Sequence, residues 1–515
     1  MKWYWKVIIG LGSLILLVAI VNIALNLWIK LQLPKIINRE NDSAYFITYK
    51  NIQVSILYST IKAGEIVIVP KAAIKDSVNK SGIYAKVKGV EIKDFKVWNL
   101  VFSDKLKARS ITIEQPKLVL YSKNKKSNIR KSVVDPFEKV IAVSDVFINH
   151  GDLKIIYAKN DKPMLSVYNV NIQLEGILIT DQILKNKIPF KFRTYAVNCD
   201  SLYYHPNEFY HIKTKKIQST QTNLDIVDFK LTPAYSRREF VAKIPKEKDL
   251  YTLSCKSLKV DNLNWGFKQD AFFFHCNTIK LNSTSANIYR SLEPADDMSK
   301  RKFYNSMLRD MTFDLKVNTL KIQNSILEYE EEKSFDIGAA KLIFNPFNLT
   351  ATNVSSGFKK TTLPDIKIKI NSKFMNNSPL FVNWKFNVMD QSDGFNINGK
   401  LTNLDAERII PFSKPYLNVA IKGIIDEVSF NFTGNDKGCE GKFKVEYDDL
   451  KFTIYKKDDR KKKNKLMTFI ARIFVKKDTN DKLTNAAIEV ERIPEKSFYN
   501  LLWRSIAEGF KKILV

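Results

Sequence analysis

At 515 residues, with 45% hydrophobic and 27% charged side chains, the chain is long enough for several domains or one extended architecture and too apolar to be disordered. Gly and Pro number only 17 and 16 against 33 Phe and 21 Tyr, which excludes collagen-like or linker-rich organisation and favours strands. The 83 Lys and Arg exceed the 54 Asp and Glu, a net +29 that suits anionic partners; the lysines stand mostly singly between apolar residues, the pattern of a wet sheet face rather than of a nucleic-acid arm.

The first element is an apolar run from Val7 to Ile29 that holds no charge and is broken only by Ser13, Asn22 and Asn26. At about 1.5 Å per residue it can cross a hydrocarbon core of about 30 Å. Lys2 and Lys6 precede it, with Trp3, Tyr4 and Trp5 at one interface and Trp28 at the other. The run is too long for the apolar core of a cleaved leader, and no clean A-x-A site follows, so an uncleaved signal anchor over 7–29 is expected behind a short tail, 1–6. Lys30, Lys35 and Arg39 blunt the charge asymmetry, but a very short basic N-terminus normally stays in the cytoplasm and sends the body out of it.

From about residue 45 the dominant period is two. The stretches 111–113 (ITI) and 170–174 (VNIQL) alternate in this way. Later, Ile366, Ile368 and Ile370 alternate with lysines and Phe395 and Ile397 with asparagine, and Leu417, Val419 and Ile421 recur at period two with Asn418 and Lys422 nearby. Phe430 and Phe432, then Phe443 and Val445, repeat the pattern. It predicts an antiparallel sheet with one apolar and one wet face, not βαβ units. Helices are expected over Ser132–Ile141, over Asp296–Asp310, and over Ser497–Leu514, where Phe498, Leu502, Ile506, Phe510 and Ile513 fall at helical spacing. That last helix reads either as a cap on the end of the sheet or as a membrane-surface or partner-binding helix. The resulting division is an N-terminal β part over 30–285, a helical insertion over 286–312, a C-terminal β part over 313–496 and the closing helix over 497–515.

A weak repeat links VFINHGDLKIIY (146–157), LKIQNSILEY (320–329) and the shorter SLKVDNLNW (257–265), each read as strand, polar turn and second strand. A long one-sided sheet with few helices must hide its apolar face in a sandwich, in a barrel, or as a trough filled by an apolar ligand; the pattern alone selects none of these.

Chemistry-bearing motifs are missing. Cys199, Cys255, Cys276 and Cys439 form no CxxC pair, and His150, His205, His211 and His275 have no metal-ligand spacing. No phosphate-binding loop, dinucleotide fingerprint or nucleophile elbow occurs, so no enzyme, cofactor or metal is expected. Two basic runs, with Lys123, Lys125 and Lys126 in one and Lys461, Lys462 and Lys463 in the other, are candidates for contact with anionic headgroups, the alternative being solvated loops.

The order of these features resembles the AsmA-like proteins, particularly those of Bacteroidetes-type bacteria. The anchor is followed by AYFITYKNI (44–52), IVIVP (66–70), ITIEQPKLVL (111–120) and LTPAYS (231–236). The helix ending Met307-Leu-Arg309, FNINGKL (395–401), the strand pair at Gly423 and KSFYNLLW (496–503) complete the match over nearly the whole chain. The resemblance implies a bacterial inner-membrane anchor with the body in the periplasm, and a curled β-groove with an apolar lumen. It also implies a part in phospholipid movement and outer-membrane integrity, and it brings no catalytic residues. The lining candidates are then Ile366, Ile368, Ile370, Phe395, Ile397, Val419, Ile421, Phe430, Phe432, Phe443 and Val445. The alternative is a dry-cored scaffold that binds envelope proteins; nucleic acid is not an expected partner.

Overall fold

A computed structural model describes residues 45–55, 58–71, 82–95, 106–122, 141–177, 191–268, 271–456, 478–480 and 482–514, with a few isolated positions elsewhere. Most of the expected anchor, the helix expected from Ser132, and Lys123, Lys125, Lys126, Lys461 and Lys463 lie outside these residues. Among the described residues no helix is long and apolar enough to cross a membrane. The protein is mainly β, 64% strand and 12% helix. It divides into two compact units, residues 1–206 with 212–221, and residues 207–211 with 222–515.

In the first unit, β3 (Thr60–Pro70) pairs on one side with β1 (Tyr45–Thr48) and β2 (Asn51–Ser55), and on the other with β4 (Gly82–Lys93). Next to β4 lie β5 (Leu106–Glu114) and β6 (Lys117–Ser122), one line interrupted at Gln115, whose φ is 48°. Both run parallel to β7 (Ile141–Tyr157). Then follow β8 (Lys162–Glu175), β9 (Thr194–Cys199), β10 (Ser201–Asn207), β11 (Tyr210–Thr214) and β12 (Lys216–Thr220).

The second unit is a ladder in chain order: β13 (Asn223–Pro233), β14 (Leu250–Asp261), β16 (Ala271–Ser291), β17 (Asp314–Glu332), β18 (Ala340–Ser355), β19 (Ile366–Phe374), β20 (Ser378–Phe386), β21 (Phe395–Asp405), β22 (Val419–Gly434), β23 (Gly438–Ile454) and β24 (Thr484–Glu491). The short β15 (Asn264–Lys268) continues the line of β14 along β16. Among the described residues, the helices that accompany the sheet include α1 (Arg237–Lys243), α2 (Tyr304–Arg309), α3 (Ile410–Leu417) and α4 (Phe498–Leu514).

Three expectations change. The sheets are not wholly antiparallel: β5 and β6 run parallel to β7, and β16 runs parallel to β17. A tight turn cannot join parallel strands, so residues 292–313 form a crossover. The helix expected over Asp296–Asp310 shrinks to α2, because Phe303, extended at φ −79° and ψ 170°, buries its ring against Phe395 and Phe498 and holds the chain ahead of it out of helical geometry. The repeat is not a series of hairpins. Residues 146–157 lie within β7 and 320–329 within β17, and the polar pair in each is a left-handed residue inside one strand, His150 (φ 55°) or Asn324 (φ 50°). Such a bulge offsets its lost ladder bonds with side chains: the Asn324 amide N–H donates to Asn348 Oδ1 (2.9 Å) and its Nδ2 to Asn282 Oδ1 (3.2 Å).

The closing helix lies on the face of the sheet as well as at its end. Its buried stripe is Phe498, Leu501, Ser505, Gly509 and Ile513, the small residues letting the backbone come close to β23. Arg504 donates to the Glu491 carbonyl (2.7 Å) and Lys512 to the Ala487 carbonyl (3.0 Å), so α4 also caps β24, where the ladder ends.

Candidate functional site

Register places the apolar residues of the second unit in continuous rungs. One runs Leu224, Val260, Ile279, Leu320, Ala351, Ile368, Trp384, Ile397, Phe432, Gly441 and Ile488, strand by strand from β13 to β24. Its neighbour runs Ile226, Leu258, Leu281, Ile322, Leu349, Ile370, Val382, Gly399, Phe430, Phe443 and Ala486. Residues paired across a ladder share a face, so one apolar face spans eleven strands. The unit curls about that face: α2, which leaves from β16, packs on residues of β20 and β21, with Tyr304 against Trp384 (5.2 Å between ring centres) and Phe303 against Phe395 (6.0 Å). Arg309 locks this closure by donating to the carbonyls of Val388 (2.9 Å) and Asp390 (2.6 Å) and to the Asp393 carboxylate (2.8 Å).

The two ends of the face differ in what covers them. Over β20–β24 it is sealed by α4: Phe498 stacks on Trp384 at 4.6 Å, and Phe510 meets Phe443 at 5.0 Å. Ile366, Phe395, Ile397, Phe432, Phe443 and Val445 are therefore fully buried in a protein core. Ile368, Ile370, Ile421 and Phe430 are half-buried, and all but Ile370 border the same core. Val419 is half-buried beside α3. These residues do face inward, but the fully buried ones line no open groove, because a helix fills the space the alternation reserved. Lys462 is exposed.

Over β13–β18 the same rungs are buried at Val260 and Ala351 and half-buried at Leu224, Ile226, Leu258, Ile279, Leu281, Leu320, Ile322 and Leu349. Across from the sheet-bound stripe of α4, Tyr499 is 57% exposed. Yet its phenol is held well above its ordinary pKa, chiefly because surrounding protein desolvates it and secondarily by the Tyr304 hydroxyl 3.3 Å away. Phe412 of α3 meets Trp503 of α4 at 5.4 Å. The face is thus covered by a helix over β20–β24 and only partly covered over β13–β18.

One end of the face is polar. Arg290 pairs with Asp249 at 2.7 Å, and Tyr251 is pushed up to about 12 by burial and by Asp249. Both border a cleft of about 570 Å³ that is also lined by Lys243, Glu247, Asp297 and Arg301. Among the described residues no three His, Cys, Asp or Glu side chains are placed to hold a metal ion, and the four cysteines are buried and unbridged. The sequence did signal the half-buried part of the face: Ile279-Lys-Leu281 and Leu320-Lys-Ile322 alternate as clearly as the stretches chosen from it. What it lacked was any mark of which stretches a helix would cover. No protein-family model matches the chain, and no curated protein matches it.

Proposed function

We propose that this chain binds, and passes along this apolar face, the acyl part of a phospholipid or similar amphiphile, without catalysis. The observation that carries the reading is the apolar face on β13–β18, half-buried at most of its positions and continuous in register with a sealed core. Each methylene moved from water onto such a face gains about 0.8 kcal/mol, so an acyl chain has reason to enter and no chemistry is needed to hold it. With the expected signal anchor, the reading places the protein at a bacterial inner membrane, its body in the periplasm, in phospholipid traffic that sustains the outer membrane. That placement, like membership among AsmA-like proteins, is part of the proposal.

A photo-crosslinking amino acid put at Ile322 or Leu281 in the full-length chain, in cells, is expected to give lipid adducts. The same group at Lys321, on the wet face, should give none. Adducts at neither of those apolar positions would refute the reading. A second reading, a scaffold for envelope proteins, draws on the dry core under α4. It predicts protein adducts rather than lipid adducts at the exposed edges and an inert apolar face.

A further inference from the structure

The cleft beside β14 and β16, about 570 Å³ in volume, gathers cations from separate segments of the second unit. Lys243 ends α1, Lys248 precedes β14, Arg290 belongs to β16, and Arg301 to the crossover that follows it. Most of the acids around the cleft are already engaged. Asp249 lies 2.7 Å from both Nε and Nη2 of Arg290, which leaves Nη1 for a further acceptor. Asp297 is shared between Arg301 at 3.0 Å and Lys246 at 3.8 Å, and the buried Glu247 meets Lys496 at 3.7 Å. Glu208, the remaining acid of the lining, is exposed.

Lys243 and Lys248 are placed differently. Among the described residues neither pairs with a carboxylate. Lys243 stands over the Tyr235 ring at 4.6 Å and Lys248 over the Phe209 ring at 4.8 Å. A ring face holds an ammonium by its quadrupole and leaves N–H donors for another acceptor. Cations that converge from separate segments suit an anion with oxygens on several sides, which phosphate offers and a planar carboxylate does not. The volume falls in the range of small-molecule sites and is generous for a bare ion, so the anion carries substituents. The strands that bear Leu258 and Leu281 of the half-buried face also bear Tyr251 and Arg290 of the cleft. We propose that the cleft binds the phosphate of a phosphate ester, with Lys243, Lys248 and Nη1 of Arg290 as its donors. A phospholipid headgroup and a free phosphate ester share this chemistry. The headgroup source rests on the acyl-binding reading; the cleft itself does not.

The test titrates the full-length chain, held in a phosphorus-free amphipol at physiological salt and followed by phosphorus NMR. The probes are glycerol phosphate and dihexanoyl phosphatidylglycerol below its micelle concentration. The site requires saturable binding of at least one of them. Lys243→Glu combined with Lys248→Glu should weaken that binding about tenfold or more, and Lys248→Gln several-fold. Lys321→Glu, on the wet face, should leave it unchanged. Both cleft lysines are exposed, so thermal melting of these variants should match wild type. Lipid bound about tenfold or more tighter than glycerol phosphate assigns the cleft to a headgroup, and equal affinities assign it to a free ester. Binding of neither probe overturns the inference, as does binding that the paired reversal leaves intact. Lipid adducts at position 322 alongside either of those two results would keep acyl binding and strike the cleft alone.

Discussion

Gly509→Ala separates a docked closing helix from a free one by the sign of its effect. In the interior of an undocked helix the change removes backbone freedom from the unfolded chain and stabilises by about 1 kcal/mol. In the structure, a Cβ at this position would overlap Cγ and Cδ1 of Phe443 and stand 2.7 Å from its Cβ. Those atoms form the base of a ring that is 0% exposed and backed by Phe510 at 5.0 Å, so it has no room to swing aside. Overpacking of this kind costs about 1–3 kcal/mol. The tight site argues for the upper part of that range and a net loss of about 1–2 kcal/mol. Ala507→Gly, on the exposed side of α4, should cost about 1 kcal/mol whether or not the helix is docked. Equilibrium urea unfolding of the two variants gives the comparison. Gly509→Ala at or above wild-type stability would refute the packing of α4 on β23, and with it the sealed core beneath the helix.

Further outcomes follow from the same contacts. Arg309→Ala strands the buried Asp393 carboxylate and should cost about 3–5 kcal/mol, with a double-mutant cycle against Asp393→Ala recovering much of it; additive losses would show the pair uncoupled. Phe432→Ala, in the sealed core, should cost about 3–5 kcal/mol while leaving lipid adducts at position 322 unchanged; loss of those adducts would mean that the two ends of the face are not separate. Burial raises the Glu330 carboxyl, but its pairing with Arg237 (2.9 Å) and the Asn287 amide outweigh that and leave its pKa lowered. A depressed carboxylate adds stability that is fully present above its unfolded pKa, about 4.3, and lost as pH falls through the lower folded value. The stability gap between wild type and Glu330→Gln should therefore be constant from pH 7 to about 5 and shrink below about 4; a gap unchanged down to pH 3 would contradict this. Asn324→Val, which forces a β-branched residue to φ 50° and removes the bonds to Asn282 and Asn348, should destabilise clearly, whereas Asn324→Gly should be milder in the same unfolding assay.

Much of the strand content was legible in the sequence because a half-buried strand writes its burial directly as alternation. Phe395-Asn-Ile397 and Val428-Ser-Phe430 alternate and are paired strands in the structure. The interruptions were not legible. His150-Gly151 and Asn324-Ser325 use residues that tolerate left-handed backbone, and the same residues serve a hairpin turn and a bulge; only the neighbouring strands decide, and those lie far off in sequence. The parallel junction of β16 with β17 was hidden for a related reason, since Asp296–Asp310 read as a helix until the burial of Phe303 is known. For the candidate site, alternation gave the correct face but not its cover. Isoleucine at 322 and phenylalanine at 432 alternate with polar neighbours alike, and only α4, brought back from the end of the chain, makes one half-open and the other dry.

The grip of Arg504 and Lys512 on the carbonyls of Glu491 and Ala487 has a consequence apart from lipid binding. A bare final strand is a template on which another chain can polymerise, and modular sheets of this kind are exposed to that hazard in proportion to how readily they lengthen. Here the helix that keeps water from the core also occupies the template with its cations. Lifting α4 would open an apolar surface and a sticky rim at once, which ties any undocking of this helix to the risk of aggregation.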